Sequence, residues 1–188
     1  MSTVRTVALL FAACLGTWTA AAQNRPAPVA AAAEPFGVHI GQTTCAQAAQ
    51  QLRPTTRSRP GGMLMHTVER AARLYDGARS IVFLCRSDNA PVLVLLLEVD
   101  KGGMGNPAVA EAYRHLSAKY RLVAGGQPPS LGNGFARFEA NQAMIDLEVE
   151  HLSFQFTIKF AERAFHAQLL ASQRAESEQA VTRRRGAL

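Results

Sequence analysis

An apolar pattern that returns about 64 residues later constrains this chain more than any other feature of it. Cys45, Ala48, Ala49 and Leu52 stand at i, i+3, i+4 and i+7, the spacing of one buried helix face, and 64 residues on the same spacing returns as Val109, Ala112, Tyr113 and Leu116. Ile81, Phe83 and Cys85 alternate as one face of a strand and return under the same shift as Ile145, Leu147 and Val149. With a shift of 63, Leu93, Leu95 and Leu97 fall on Phe156, Ile158 and Phe160, as if the second hairpin turn were one residue shorter. The expected fold class is therefore α+β, with helices packed on antiparallel sheet and a tandem repeat of a helix-plus-three-strands unit, at 36–100 and 101–161. Chance is the alternative, since helices and hairpins follow one another in any α+β domain.

The remaining elements follow from local signals. Phe36, Val38 and Ile40 alternate with polar or small residues and predict a short strand. Thr43 or Thr44 caps the first helix, and Arg53 to Gly62 is a loop by its Pro, Gly and Thr content. Met63 to Tyr75 is ambiguous, because Val68, Ala71, Ala72 and Tyr75 fit a helix while Asp76-Gly77 is a hairpin-turn signal. The repeat sets Arg73-Leu74-Tyr75 on Arg137-Phe138-Glu139 and so favours a strand there. Val92 to Val99 is apolar on both faces, which places it centrally in its sheet. Asn106 and Pro107 open the second helix, and three short strands follow a loop at Gly125 to Gly134. In the last two, Asp146, Glu148 and Glu150 face outward, and Phe154, Phe156, Ile158 and Phe160 face inward. A final helix from Glu162 to Gln179 loses its apolar face after Leu170, so the domain spans 36–170 and 171–188 is a helix end with a basic tail.

The first 22 residues read as a signal peptide: Arg5, then the apolar run Val7 to Gly16, then small residues before Gln23. The apolar run is shorter than the ~20 residues a membrane-spanning helix needs. Phe11-Ala12-Ala13-Cys14 also resembles a lipoprotein processing site, so a lipid anchor through Cys14 is the alternative to a soluble periplasmic protein. Residues 23–35 are an Ala/Pro-rich spacer. Two cysteines then remain, Cys45 and Cys85, and in an exported chain they are expected to pair.

Charge and chemistry exclude several function classes. The formal charge is +6, but Arg5 leaves with the leader and Arg183, Arg184 and Arg185 lie in the tail, which gives no basis for a nucleic-acid groove. Seven arginines, Arg53, Arg57, Arg59, Arg70, Arg73, Arg79 and Arg86, crowd a stretch with only Glu69 and Asp76 as acids, a candidate face for an acidic partner or an ordinary solvated surface. His39, His66, His115, His151 and His166 lack metal-ligand spacing and read as surface or turn residues. Asp146, Glu148 and Glu150 read as a solvated strand face rather than an acid–base cluster. Gly102 to Gly105 lacks the Lys-Ser/Thr of a phosphate loop. No catalytic residue, cofactor or metal is expected.

The order of elements over Phe36 to Phe160, with Gly41-Gln42-Thr43 leading into the first helix, resembles two families of exported proteins. One is the outer-membrane-assembly lipoproteins of the SmpA/OmlA kind; the other is the tandem-repeat β-lactamase-inhibitor proteins. The resemblance implies partner binding through a sheet face, and no catalytic residues come with it. The expected function is an exported, non-enzymatic protein-binding factor of the cell envelope: an inhibitor, an immunity-type protein or an assembly accessory. The alternatives are an envelope enzyme acting on cell-wall material and a small-ligand carrier.

Overall fold

Eight strands form one antiparallel sheet in the order β1-β2-β3-β4-β8-β7-β6-β5. The computed structural model describes residues 31–103, 106–129 and 131–185. The leader, Cys14 and most of the spacer lie outside the described residues, within which no helix is long and apolar enough to cross a membrane. The elements are α1 (Cys45–Leu52), β1 (Thr56–Ser58), β2 (Leu64–Glu69), β3 (Ala78–Cys85), β4 (Val92–Asp100), α2 (Pro107–Lys119), β5 (Arg121–Gly125), β6 (Gly134–Glu139), β7 (Ala143–Val149), β8 (Gln155–Glu162) and α3 (Arg163–Arg185).

The apolar spacings account for the layers. Cys45, Ala48 and Leu52 of α1 are buried, as are Val109, Ala112 and Leu116 of α2. They join one core with the inward residues of the strands, among them Ile81, Phe83, Leu95, Leu97, Ile145, Leu147, Phe156 and Ile158. Thr44 starts α1 with a reciprocal cap, its hydroxyl accepting from Gln47 N while the Gln47 side chain accepts from Thr44 N. β4 lies next to the middle of the sheet and is apolar on both sides. Its second side, with Leu93, Val94 and Ala161, is covered by Phe165 and Leu169 from the first turns of α3. From Ala171 to Arg183 α3 is exposed apart from a half-buried Ala180.

Cys45 and Cys85 are bridged, with Cα atoms 6.0 Å apart. The register of the two central hairpins also follows the apolar shifts: Ile81 pairs with Leu97 and Phe83 with Leu95, while Ile145 pairs with Phe160 and Leu147 with Ile158. A bulge then moves Cys85 onto Val92.

Four expectations are corrected. α1 and α2 are each followed by four strands rather than three, because the short edge strands β1 and β5 carry no buried face for a sequence pattern to reveal. Arg73 closes a 3-10 turn (Ala71–Arg73); the ambiguous segment's strand is β2, earlier in the chain, where Val68 meets Ile81 and Leu64 meets Cys85. Phe36 and Gly37 both take left-handed backbone angles (φ 56° and 78°), which turns the chain where a strand was expected, although Val38 and Ile40 are still buried. Phe154 lies outside β8, past the last rung of its ladder with β7, and points to solvent. In addition, Ala33 at the end of the Ala/Pro-rich segment is buried, and Ala32 O accepts from Tyr120 Oη at 3.4 Å.

The bridge closes a separation of 40 residues, for which the chain-entropy account gives about 4 kcal/mol. Urea denaturation should therefore place the Cys45→Ala, Cys85→Ala double variant about 4 kcal/mol below the oxidised protein. The wild type unfolded in the presence of a reductant should match that variant.

Candidate functional site

Hairpin β3–β4 and hairpin β7–β8 end differently, and the difference defines the candidate site. At the β3–β4 turn the start of α1 docks directly on the chain: Cys45 N donates to Ala90 O and Ala46 N to Asp88 O, each at 2.9 Å, and Thr44 bridges Pro91. The disulfide lies behind this contact. At the β7–β8 turn the chain is linked ahead of α2 by Lys101, 7% exposed, its Nζ donating to Glu150 O at 2.5 Å and its N to Phe154 O at 3.0 Å, with open space beside it.

Three loops meet in the space this leaves. They enclose a pocket of about 290 Å³ lined by Lys101, Gly103 and Asn106, by Leu131 and Gly132, and by His151, Ser153 and Phe154. Leu131 is 77% exposed, and Leu152 and Phe154 are each 89% exposed. Side chains of this size usually leave water, and a cluster of them at one end marks an interaction surface rather than a random exposure. Leu122, Val123 and Phe135 add partly exposed apolar surface on β5 and β6. Among the described residues only Val181 is a large exposed apolar side chain outside the span 122–154. Residues 31–100 contribute none.

Of the seven arginines singled out in the sequence, register divides the group. Arg57, Arg59 and Arg86 lie at the closed β3–β4 end, whereas Arg53, Arg70, Arg73 and Arg79 lie at the opposite end. That second end is also the end of the β7–β8 turn, because Asp100 at the end of β4 pairs with Gln155 at the start of β8. Arg79 Nε donates to Asp100 Oδ1 at 2.8 Å, about two strand spacings (~10 Å) from β8. Arg73 donates to Leu52 O at 3.0 Å, and Arg57 is paired with Asp88 at 2.7 Å. Basic and apolar surface therefore share one end of the sheet.

The densest polar cluster lies elsewhere, under α3. Asp146 is fully buried, not solvated as the alternation predicted. Its carboxylate accepts from Arg137 at 2.6 and 3.2 Å, faces Lys159 Nζ at 3.2 Å and lies 3.0 Å from His166 Nε2. Glu148 and Glu150 remain exposed, with Glu148 accepting from Lys159 at 3.1 Å. His166 and His66 are both buried, contrary to the surface reading of the histidines. The signal missed for Asp146 is that His166 lies one helical turn before Leu169 and Leu170, so the face of α3 that buries apolar residues also carries an imidazole.

Burial pushes the Asp146 carboxyl up, but the hydrogen bonds from Arg137 and His166 and the charges of Lys159 and Arg137 outweigh it and hold the group below the usual carboxylate range. Its bonds join β6, β7, β8 and α3. It anchors α3 to the sheet. No group of three or more metal-binding side chains is present among the described residues.

The chain matches no protein-family model, no curated protein and no solved structure. The likeness to the two exported families rests on element order and the Gly41-Gln42-Thr43 helix entry alone.

Because folding lowers the Asp146 pKa, its ion pairs stabilise the protein fully above the unfolded value of about 3.8, and that contribution is lost as pH falls through the lower folded value. Asp146→Ala should cost about 3–5 kcal/mol, since it strands buried cationic partners. It should also flatten the acid limb of the stability curve below pH 4, as measured by urea titration.

Proposed function

We propose that this chain is an exported, non-enzymatic protein-binding factor of the cell envelope that grips its partner with the open β7–β8 end of the sheet. One observation carries this reading: Leu131 on the β5–β6 loop and Leu152 and Phe154 on the β7–β8 turn stand exposed at one end of the sheet, while the corresponding end of the other hairpin is closed. Apolar anchors at the centre of a patch with charge at its rim are the anatomy of a protein interface. Arg53, Arg70, Arg73 and Arg79 on the same end suit a partner whose apolar contact surface is edged by Asp and Glu.

Enzyme and carrier readings have less behind them. The pocket, at about 290 Å³, sits at the lower edge of the range for small-molecule sites and opens onto solvent. Its most buried ionisable group, Lys101, is engaged with backbone carbonyl Glu150 O.

The compartment belongs to the same proposal. A Cys45–Cys85 bridge suits an oxidising environment, and the leader sequence supplies the route there. The soluble periplasm is the proposed location, with a Cys14 lipid anchor as the alternative. We also read the two α-plus-four-strand halves as a duplication; the matched hairpin registers and the mirror order of strands about the β4–β8 pair support this.

A photo-crosslinking residue in place of Phe154 should join the mature chain, in its native envelope, to one discrete protein species. The same residue in place of the exposed Gln51 on α1 should not. The Leu131→Asp, Leu152→Asp, Phe154→Asp variant should keep wild-type thermal stability and lose the partner at least tenfold in affinity, since hot-spot truncations cost upwards of 1.4 kcal/mol. Equal crosslinking from both positions, or undiminished binding by the triple variant, would overturn the site.

A further inference from the structure

His66 is buried in the core with nothing to bond to. It lies in β2 between Leu64 and Val68, on the inward side of the sheet, and is 4% exposed. Its ring stacks on Phe83 of β3, centroids 4.8 Å apart and planes 12° apart. Neither ring nitrogen has a hydrogen-bond partner among the described residues. Whichever tautomer is present, one N–H and one lone pair are stranded in an apolar setting that an aromatic hydrocarbon would fill better.

The surroundings leave a charged imidazole no acceptor. α1 carries no ionisable side chain apart from the bridged Cys45, and the inward residues of β3 are Ile81, Phe83 and the bridged Cys85. The charged groups that act on His66 are Arg57, from its Cα partner position on β1, and Asp88, from the β3–β4 turn. Those two are paired with each other at 2.7 Å. Burial and the Arg57 charge push the imidazole below its ordinary value of 6.5, with Asp88 opposing. The protonated ring is thus disfavoured as long as β1 stays in place.

β1 is one of the two edge strands of the sheet that are exposed at every residue. It has three residues, all exposed, at the edge of the sheet, with β2 as its only strand neighbour. Pro54 precedes it, and Pro60-Gly61-Gly62 follows, with both glycines at positive φ. Few buried contacts and an exposed backbone are the marks of a segment that opens locally at low cost.

We infer that β1 is an acid-released edge strand and that His66 is the group whose protonation releases it. Opening draws Arg57 away, lets water reach the β2 edge, and frees the Asp88 carboxylate to accept from the imidazolium. One proton is taken up from solvent for each opening. A neutral His66 therefore favours the closed form above pH 6.5, and the closed form loses ground as pH falls below it. The open population rises about tenfold for each pH unit below that value, until the ring can also be protonated in the closed form.

Hydrogen exchange on the mature, oxidised chain from pH 5.0 to 7.5, corrected for intrinsic exchange rates, tests this. Protection of the peptide covering 55–69 should fall about tenfold per unit below pH 6.5, while β7 and β8 peptides hold steady. In His66→Phe the 55–69 peptide should become independent of pH. Protection that is flat with pH in the wild type, or that falls equally in every strand, would sink the proposal; so would an unchanged slope in the variant. Should the variant not fold, the wild-type His66 ring can be followed by NMR. Titration centred on 6.5 with no change in 55–69 exchange would dispose of the idea equally well.

Discussion

Seven consecutive pairs, from Val94 with Ala161 to Asp100 with Gln155, join β4 to β8 and turn two four-stranded arrays into one sheet. Everything else in the molecule depends on that ladder. β4 and β8 are among the longest strands of the sheet, and either one left at an edge would present a long row of unpaired backbone groups beside apolar side chains. Pairing them places the best template for unwanted association at the centre. The edges then fall to β1 and β5, which are short and exposed. α3 also depends on the seam: Phe165 and Leu169 have an apolar floor because Val94 and Ala161 sit opposite one another across it.

The two most deeply buried titratable side chains on the sheet illustrate opposite treatments of the same problem. Asp146 is closed off from water but surrounded by Arg137, Lys159 and His166, so its charge is held where it stands. His66 is equally closed off and has an aromatic ring and an occupied ion pair for company. A satisfied buried charge rigidifies the elements that supply its partners; an unpartnered buried imidazole leaves them poised. The first ties α3 to the second half of the sheet, and the second lies beneath the shortest strand of the first half.

The spacing of apolar residues made the helices, the central hairpins and the cysteine pairing legible, because each of these buries a continuous face. Cys45 lay on the inward face of one element and Cys85 on the inward face of the next, and the fold brings their Cα atoms to 6.0 Å. β1 and β5 were illegible for the converse reason, since strands exposed on every residue have no period to find. The misplacement of β2 came from aligning the halves at constant shift. The link between β2 and β3 runs from Arg70 to Gly77, whereas β6 and β7 are joined by Ala140 to Gln142, so the register slips where the loop is longer. The candidate site was hidden in Phe154. It continues the alternation of β8 without a break, and only the reach of the hairpin, which ends one residue short of it, decides that it faces solvent.

The difference between the two hairpin ends also bears on why only one of them is reinforced. At the β3–β4 end, α1 seats its first backbone N–H groups on the turn carbonyls, and the disulfide fixes the same helix to the neighbouring strand. That arrangement leaves no room for exposed anchors: the residue of the turn nearest the helix is Pro91, and it is bridged to Thr44. At the β7–β8 end Lys101 spans the gap, and the loops carry Leu131, Leu152 and Phe154 outward. Exposed apolar side chains contribute nothing to folding, so a half that displays them must draw its stability from elsewhere. The shared sheet provides the route, because the β4–β8 ladder couples the open half to the bridged one. A closed, cross-linked half and an open, apolar half are in this sense complementary parts of one sheet.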